Sequence, residues 1–188
     1  MKVAVLDHGM GNLRSVAKAL EAAGATVVVT SERDTIASCD SLCVPGQGIF
    51  GRCMTNLAEL RLVELVREWI GSERPYLGIC LGMQVLFSTS EEGGGHDGLG
   101  LLEGSVRRLP STVRVPHIGW NSVADEYFYF DHSYAAFPED PAIVTGWCEY
   151  GDRFAAEVRF GSVLGVQFHP EKSAAAGIEL LGNWVKAA

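Results

Sequence analysis

The sequence is poor in basic residues, in pairable cysteines and in long apolar runs. Lys and Arg number 15 against 23 Asp and Glu, a net charge of −8. So little positive charge argues against a nucleic-acid partner, whose phosphates call for a basic surface. No stretch reaches the roughly 18 apolar residues of a membrane-spanning helix, so no membrane partner is expected. Near the start, Val3–Leu6 supplies four apolar residues before Asp7, too few for a secretory leader. The five cysteines (Cys39, Cys43, Cys53, Cys80 and Cys148) are odd in number and contain no Cys-x-x-Cys. That pattern indicates neither a disulfide framework nor a zinc site, so no metal is expected and the setting is read as cytoplasmic. What remains is 188 residues, 47% apolar and 20% charged, which excludes intrinsic disorder. The length fits one domain over 1–188.

The first eighty residues alternate between two periodicities. Val3–Leu6 is a short apolar run ending in a Gly9-Met10-Gly11 turn. Leu13, Val16, Ala17 and Leu20 then recur at helical spacing until Gly24. Thr26–Thr30 and Ser41–Val44 read as strands, and Leu57 to Trp69 as one helix closed by Gly71. Tyr76–Ile79 is a fourth strand. Strands alternating with helices predict βαβ units around a parallel sheet covered on both faces. Beyond Ser90 the pattern changes. Glu91–Gly100 carries five glycines and reads as a loop. Short strands are predicted at Ser105–Leu109, Tyr127–Phe130, Ala142–Thr145, Phe154–Phe160 and Val163–Phe168, and a last helix at about Ala174–Val185. The expected fold class is α/β, mostly parallel, with antiparallel additions.

Three places carry chemistry. Gly78-Ile79-Cys80-Leu81-Gly82 ends a buried strand and opens an apolar helix through Val85, Leu86 and Phe87. A Gly-x-nucleophile-x-Gly turn holds its nucleophile on a strained strand-to-helix corner, where helix N–H groups and dipole favour a thiolate. The other reading is a buried structural cysteine. A thiol nucleophile needs a base, and the base an orienting group. His169-Pro170-Glu171 ends another apolar strand, and strand alternation puts the His and Glu side chains on one face. His96 lies in the glycine-rich loop, and His8, His117 and His132 lack a carboxylate partner in the same motif. Finally, Val44-Pro45-Gly46-Gln47-Gly48 could donate backbone N–H groups to an oxyanion, together with that of Leu81. It could equally be an ordinary strand-end turn. A dinucleotide fingerprint at Gly9-Met10-Gly11 is rejected, because its third glycine would fall on Arg14.

In this order the three motifs resemble the class I, triad-type glutamine amidotransferases. Four further segments are similar to the glutaminase subunits of imidazole glycerol phosphate synthases, of histidine biosynthesis. They are Asp7–Ser15, Pro116-His117-Ile118-Gly119-Trp120-Asn121, Tyr127–Tyr134 and His169–Ser173. The resemblance runs from Val3 to the final helix. It implies a flavodoxin-like glutamine amidotransferase fold, L-glutamine as substrate and no cofactor. It implies Cys80 as nucleophile, His169 as base and acid, Glu171 as its orienter, and Gln47, Gly48 and Leu81 as oxyanion donors. Gln84, Glu92, Ser133 and Tyr134 match positions that hold the glutamine amino-acid moiety. Asn12, Trp120, Tyr129 and Lys172 match positions near a partner interface and ammonia exit. The implied partner is a (β/α)8-barrel cyclase in a heterodimer, which uses the ammonia to make imidazole glycerol phosphate and an aminoimidazole carboxamide ribotide. The resemblance departs at two positions: Gln47 replaces the valine of a P-G-V-G turn, and Asp131 stands where relatives carry an apolar residue.

Three other readings use the same residues. One is the glutaminase of pyridoxal phosphate, anthranilate or guanylate synthesis, against which His117–Asn121 argues. Another is a stand-alone cysteine hydrolase, which would need no partner. The last is a non-catalytic binding module, which the intact Cys80, His169 and Glu171 set disfavours.

Overall fold

The computed structural model describes residues 1–187; the last residue of the expected 1–188 domain lies outside the described residues. In chain order the elements are β1 (Lys2–Leu6), α1 (Leu13–Ala22), β2 (Thr26–Thr30), α2 (Arg33–Ala37), β3 (Ser41–Gly46), α3 (Phe50–Glu59), α4 (Val63–Gly71), β4 (Tyr76–Cys80), α5 (Leu81–Gln84), β5 (Phe87–Ser90), β6 (His96–Asp97) and β7 (Leu102–Arg108). After these come β8 (His117–Val123), β9 (Glu126–His132), β10 (Tyr134–Pro138), β11 (Val144–Tyr150), β12 (Asp152–Phe160), β13 (Val163–Val166) and α6 (Ala174–Ala187).

β2, β1, β3, β4 and β13 lie side by side and all parallel, the strand order of a flavodoxin-like sheet. From β13 the sheet continues antiparallel through β12 and β10 to β7, with β5 and β6 at the far edge and β11 paired on β12. β8 and β9 form a separate hairpin. The short apolar runs are buried on both faces for a reason visible in β1. Ala4 and Leu6 pack with α3 and α4 residues such as Leu57 and Val66, while Val3 and Val5 pack with Val16, Leu20 and Leu181 of α1 and α6. Alternation along a strand serves two cores when helices cover both sides. Among the described residues no helix is long and apolar enough to cross a membrane.

Several boundaries differ from the sequence expectations. The single helix expected from Leu57 to Trp69 is two. Arg61 takes a left-handed conformation (φ 56°), and the Leu62 N–H closes back on the Leu57 carbonyl at 2.8 Å. Leu62 is fully buried, so the apolar spacing runs on through a helix-ending turn whose own hydrophobic contact it supplies. The apolar helix expected through Val85–Phe87 is also absent. Carbonyls of Val85 and Leu86 accept from Leu99 and Leu101, at 2.7 and 2.9 Å, and the chain enters β5 instead. The glycine-rich loop contains β6, and α2, β8 and β10 lie in segments where no element was expected. Ala142 and Ile143 belong to a 3₁₀ turn preceding β11, and β13 ends at Val166 rather than Phe168.

Candidate active site

β3, β4 and β13 are parallel, so the turns at their carboxyl ends emerge at one edge of the sheet. Gly46 at the end of β3 sits in register with Cys80 at the end of β4, and Ile79 with Val166 at the end of β13. The turn at Gly46–Gly48, the elbow at Cys80 and the Gln167–Glu171 segment therefore meet, although far apart in sequence. The carboxyl ends of parallel strands are where open α/β sheets bind ligands.

The elbow is strained and close-packed. Cys80 has φ 53° and ψ −105°, outside the ordinary regions for a non-glycine residue. Its flanking glycines are required by contact. A Cβ on Gly78 would stand 2.5 Å from the Gly82 carbonyl oxygen, and one on Gly82 would stand 1.8 Å from that of Val44. The buried Tyr76 hydroxyl donates to the Gly82 carbonyl at 2.8 Å and holds the turn down. Because α5 is a single turn, the dipole at Cys80 is that of a few peptides, less than the sequence pattern predicts.

His169 and Glu171 form a buried pair, with Nδ1 and Oε1 2.8 Å apart. Strand alternation, the cause expected from the sequence, is not what joins them. The cause is a corner: His169 is extended, and Pro170–Lys172 form a 3₁₀ turn that folds the carboxylate back. The main chain fixes the corner. The His169 N–H donates to the Tyr129 carbonyl at 2.8 Å, and the Ser173 hydroxyl donates to the His169 carbonyl at 2.6 Å. With Nδ1 given to Glu171, Nε2 makes no closed hydrogen bond and is the ring atom left for the Cys80 sulfur. Burial lowers the proton affinity of His169. The neighbouring Cys80 sulfur and the Glu171 carboxylate outweigh that effect, and the balance pushes its pKa up to about 10.

A cleft of about 250 Å³ opens over the sulfur. Cys80, Leu81 and Gln84 line it, with Gln47 and Gly48 contributed by the turn after β3. Glu92, Ser133 and Tyr134 contribute too, so the structure gathers the expected oxyanion and glutamine-holding positions around one space. His169 and Glu171 are not among its lining residues. Two of the lining side chains are partly committed. The Glu92 carboxylate accepts the Phe50 N–H at the start of α3 at 2.7 Å. The Gln84 amide nitrogen donates to the Tyr134 carbonyl at 2.8 Å and to Gln167 Oε1 at 2.9 Å. The two departures from the family pattern touch each other. Gln47 donates to Asp131 at 2.7 Å, and Lys172 reaches the same carboxylate oxygen at 3.4 Å.

The remaining expected residues lie outside the cleft. Asn12 caps α1, its side chain accepting the Ser15 N–H at 3.3 Å. Trp120 is 54% exposed on the hairpin, edge-on to Tyr129, and the Lys172 ammonium stands 5.6 Å from the Tyr129 ring centre. Ile118 (60% exposed) shares this outer face, placed opposite Asp131. Sequence reasoning misses Gln167, whose Nε2 lies 3.4 Å from the Cys80 sulfur. Its signal is a glutamine inside an otherwise apolar run. Ser173 stands in one of the family-like segments with no task evident from sequence; it accepts the Tyr129 N–H at 2.9 Å and so ties the hairpin to His169.

A model of the glutamine amidotransferase class-I family matches residues 4–187. The chain is 46% identical to an imidazole glycerol phosphate synthase subunit HisH from Aquifex aeolicus, with 100% of this chain and 98% of that protein covered. It is 47% identical to the subunit of the same name from Methylococcus capsulatus, covering 98% and 95%. In fold it is similar to a solved glutamine amidotransferase at TM-score 0.75 and 22% identity, covering 96% of this chain and 98% of that one. It is similar also to PurLQS from Thermotoga maritima, at TM-score 0.77 and 16% identity, covering 99% and 98%. A thiol on a strained elbow, a buried imidazole–carboxylate pair and full-length likeness at this level have one reading: the chain belongs to the class-I glutamine amidotransferase family, among the imidazole glycerol phosphate synthase HisH subunits.

Proposed function

We propose that residues 1–188 form one glutaminase domain that hydrolyses L-glutamine and hands the ammonia to a (β/α)8-barrel cyclase in histidine biosynthesis. The observation that carries this reading is the meeting of Cys80 with the buried His169–Glu171 pair beneath a small cleft. About 250 Å³ suits a single amino acid rather than a polypeptide segment. The relatives' name, a synthase subunit, supports the place of the reaction in histidine synthesis.

The steps follow from the groups available. The Cys80 thiolate attacks the side-chain amide carbon of glutamine. Backbone N–H groups of Leu81 and of Gln47 or Gly48 receive the oxyanion. The His169 imidazolium gives its proton to the departing nitrogen, so that ammonia leaves and a γ-glutamyl thioester remains. Water then loses a proton to His169 and attacks the thioester, releasing glutamate and restoring the thiolate. Glu171 keeps the ring oriented and offsets its charge throughout. With the nitrogen of Gln84 already committed, its oxygen is the end that meets the substrate ammonium; Glu92, Ser133 and Tyr134 complete the hold. No cofactor or metal enters these steps.

Ammonia must cross to its acceptor unprotonated, which calls for a dry contact at the mouth of the cleft. The outer face of the hairpin supports such a contact. Ile118 and Trp120 are exposed there, and Tyr129 and Lys172 lead to Asp131 on the cleft wall. We place the partner on this face, with Asn12 at its margin. The test is Cys80→Ala in the reconstituted complex. Glutamine-dependent synthesis should disappear, while synthesis from added ammonium salts persists. Retained glutamine hydrolysis would overturn the assignment of the nucleophile.

A further inference from the structure

We propose that Gln167 is a dedicated hydrogen-bond donor to the Cys80 sulfur, its orientation set by the Tyr134 carbonyl acting through Gln84. Gln167 follows β13 by one residue and is fully buried. Its Nε2 lies 3.4 Å from Cys80 Sγ and its Oε1 lies 2.9 Å from Gln84 Nε2. Gln84 Nε2 in turn lies 2.8 Å from the Tyr134 carbonyl oxygen.

The polarity of this relay is determined at its far end. A backbone carbonyl can only accept, so the end of Gln84 that faces it is the NH₂. That same nitrogen faces Gln167, so the atom it meets there is the amide oxygen. The other end of Gln167, aimed at the sulfur, is therefore the NH₂. A second donor secures the anchor: His132 Nδ1 lies 2.9 Å from the Tyr134 carbonyl, so both lone pairs of that oxygen are engaged. Three links from the thiol, the main chain thus decides that the sulfur meets a donor and not an acceptor. An N–H aimed at sulfur restrains its rotamer, holding it in place for attack. This inference rests on the glutaminase reading only in naming what the sulfur attacks; the contact itself is independent of substrate.

The test is substrate-free. Cys80 in the full chain is alkylated with iodoacetamide at neutral pH and followed by mass spectrometry, in wild type, Gln167→Leu and Gln167→Met. Both variants fill similar volume without an N–H donor, and the unbranched methionine keeps the test open if leucine fails to fold. The Cys80 alkylation rate should fall about tenfold in the folded variants, the upper end of what one hydrogen bond contributes. With glutamine, the loss should appear in kcat, and any rise in KM reports separately on Gln84, which loses its Gln167 acceptor. A wild-type alkylation rate in either folded variant overturns the proposal. A fall at Cys80 accompanied by new reactivity at the buried Cys43 would assign Gln167 to packing and overturn it equally. If the wild-type complex proves unable to hydrolyse glutamine while the alkylation difference stands, it is the glutaminase reading that has failed.

Discussion

Gly82→Ala puts a methyl where the fold has no space. The added carbon would stand 1.8 Å from the Val44 carbonyl oxygen, whereas an ordinary carbon–oxygen contact needs roughly 3.3 Å. About 1.5 Å must be gained by moving α5 away from β3. The movement strains the hydrogen bond from the buried Tyr76 hydroxyl to the Gly82 carbonyl, worth about 1–3 kcal/mol if left unmade. Overpacking adds about 1–3 kcal/mol more. A loss near 3 kcal/mol lowers Tm by roughly 6–12 °C for a chain of this size. The chemistry suffers separately. Leu81 and Cys80 share the displaced corner, and a misplacement of about 1 Å costs on the order of 10²-fold in rate. Thermal melts by circular dichroism and a glutamate-release assay measure the two effects. Gly182→Ala is the control: nothing lies within 4 Å of the added methyl, so it should hold or raise Tm. Wild-type turnover and melting in Gly82→Ala would refute the close-packing account of the elbow.

Stability should depend on pH through His169. Its folded pKa is raised from 6.5 to about 10, so the stabilisation is complete below pH 6.5 and is lost as pH rises toward 10. Denaturant midpoints across that window should decline, and less steeply in Glu171→Gln; equal slopes would remove Glu171 from the cause. Gln47→Ala loses a part-exposed bond to Asp131 and should lower glutamine turnover in the complex less than about fivefold. Gln47→Pro deletes the N–H and should cost about 10²–10³ while ammonium-dependent synthesis is spared. A severe loss in the alanine variant, with assembly intact, would move the role from main chain to side chain. Trp120→Ala empties the exposed hairpin face and should weaken capture of the cyclase in a binding titration, leaving Tm within about 2 °C; unchanged affinity would place the contact elsewhere.

The local chemistry was legible in the residues themselves. A cysteine between glycines at Gly78 and Gly82, after an apolar strand, announces an elbow because no larger residue fits where the turn touches its neighbours. The His169 and Glu171 spacing announced a pair, though for a different local reason than the one expected. Where apolar periodicity carried the reading, it failed at Leu62 and at Val85–Phe87. Burial makes a residue apolar whether it closes a helix, continues one or opens a strand, so periodicity alone does not separate these cases.

By itself, then, the sequence determined the parallel α/β core and singled out Cys80, His169 and Glu171 as candidates, because these depend on short-range pattern and on residue types that few other roles require. Only the tertiary structure decided that Gln167 touches the sulfur, that Gln47 and Asp131 meet, and that Ser173 ties the hairpin to His169. Each of these joins segments distant in sequence, and a polar side chain can find its partner anywhere the fold brings one within about 3 Å. Sequence spacing encodes periods and turns; which strand lies beside which, and hence which amide faces which thiol, is settled when the sheet assembles.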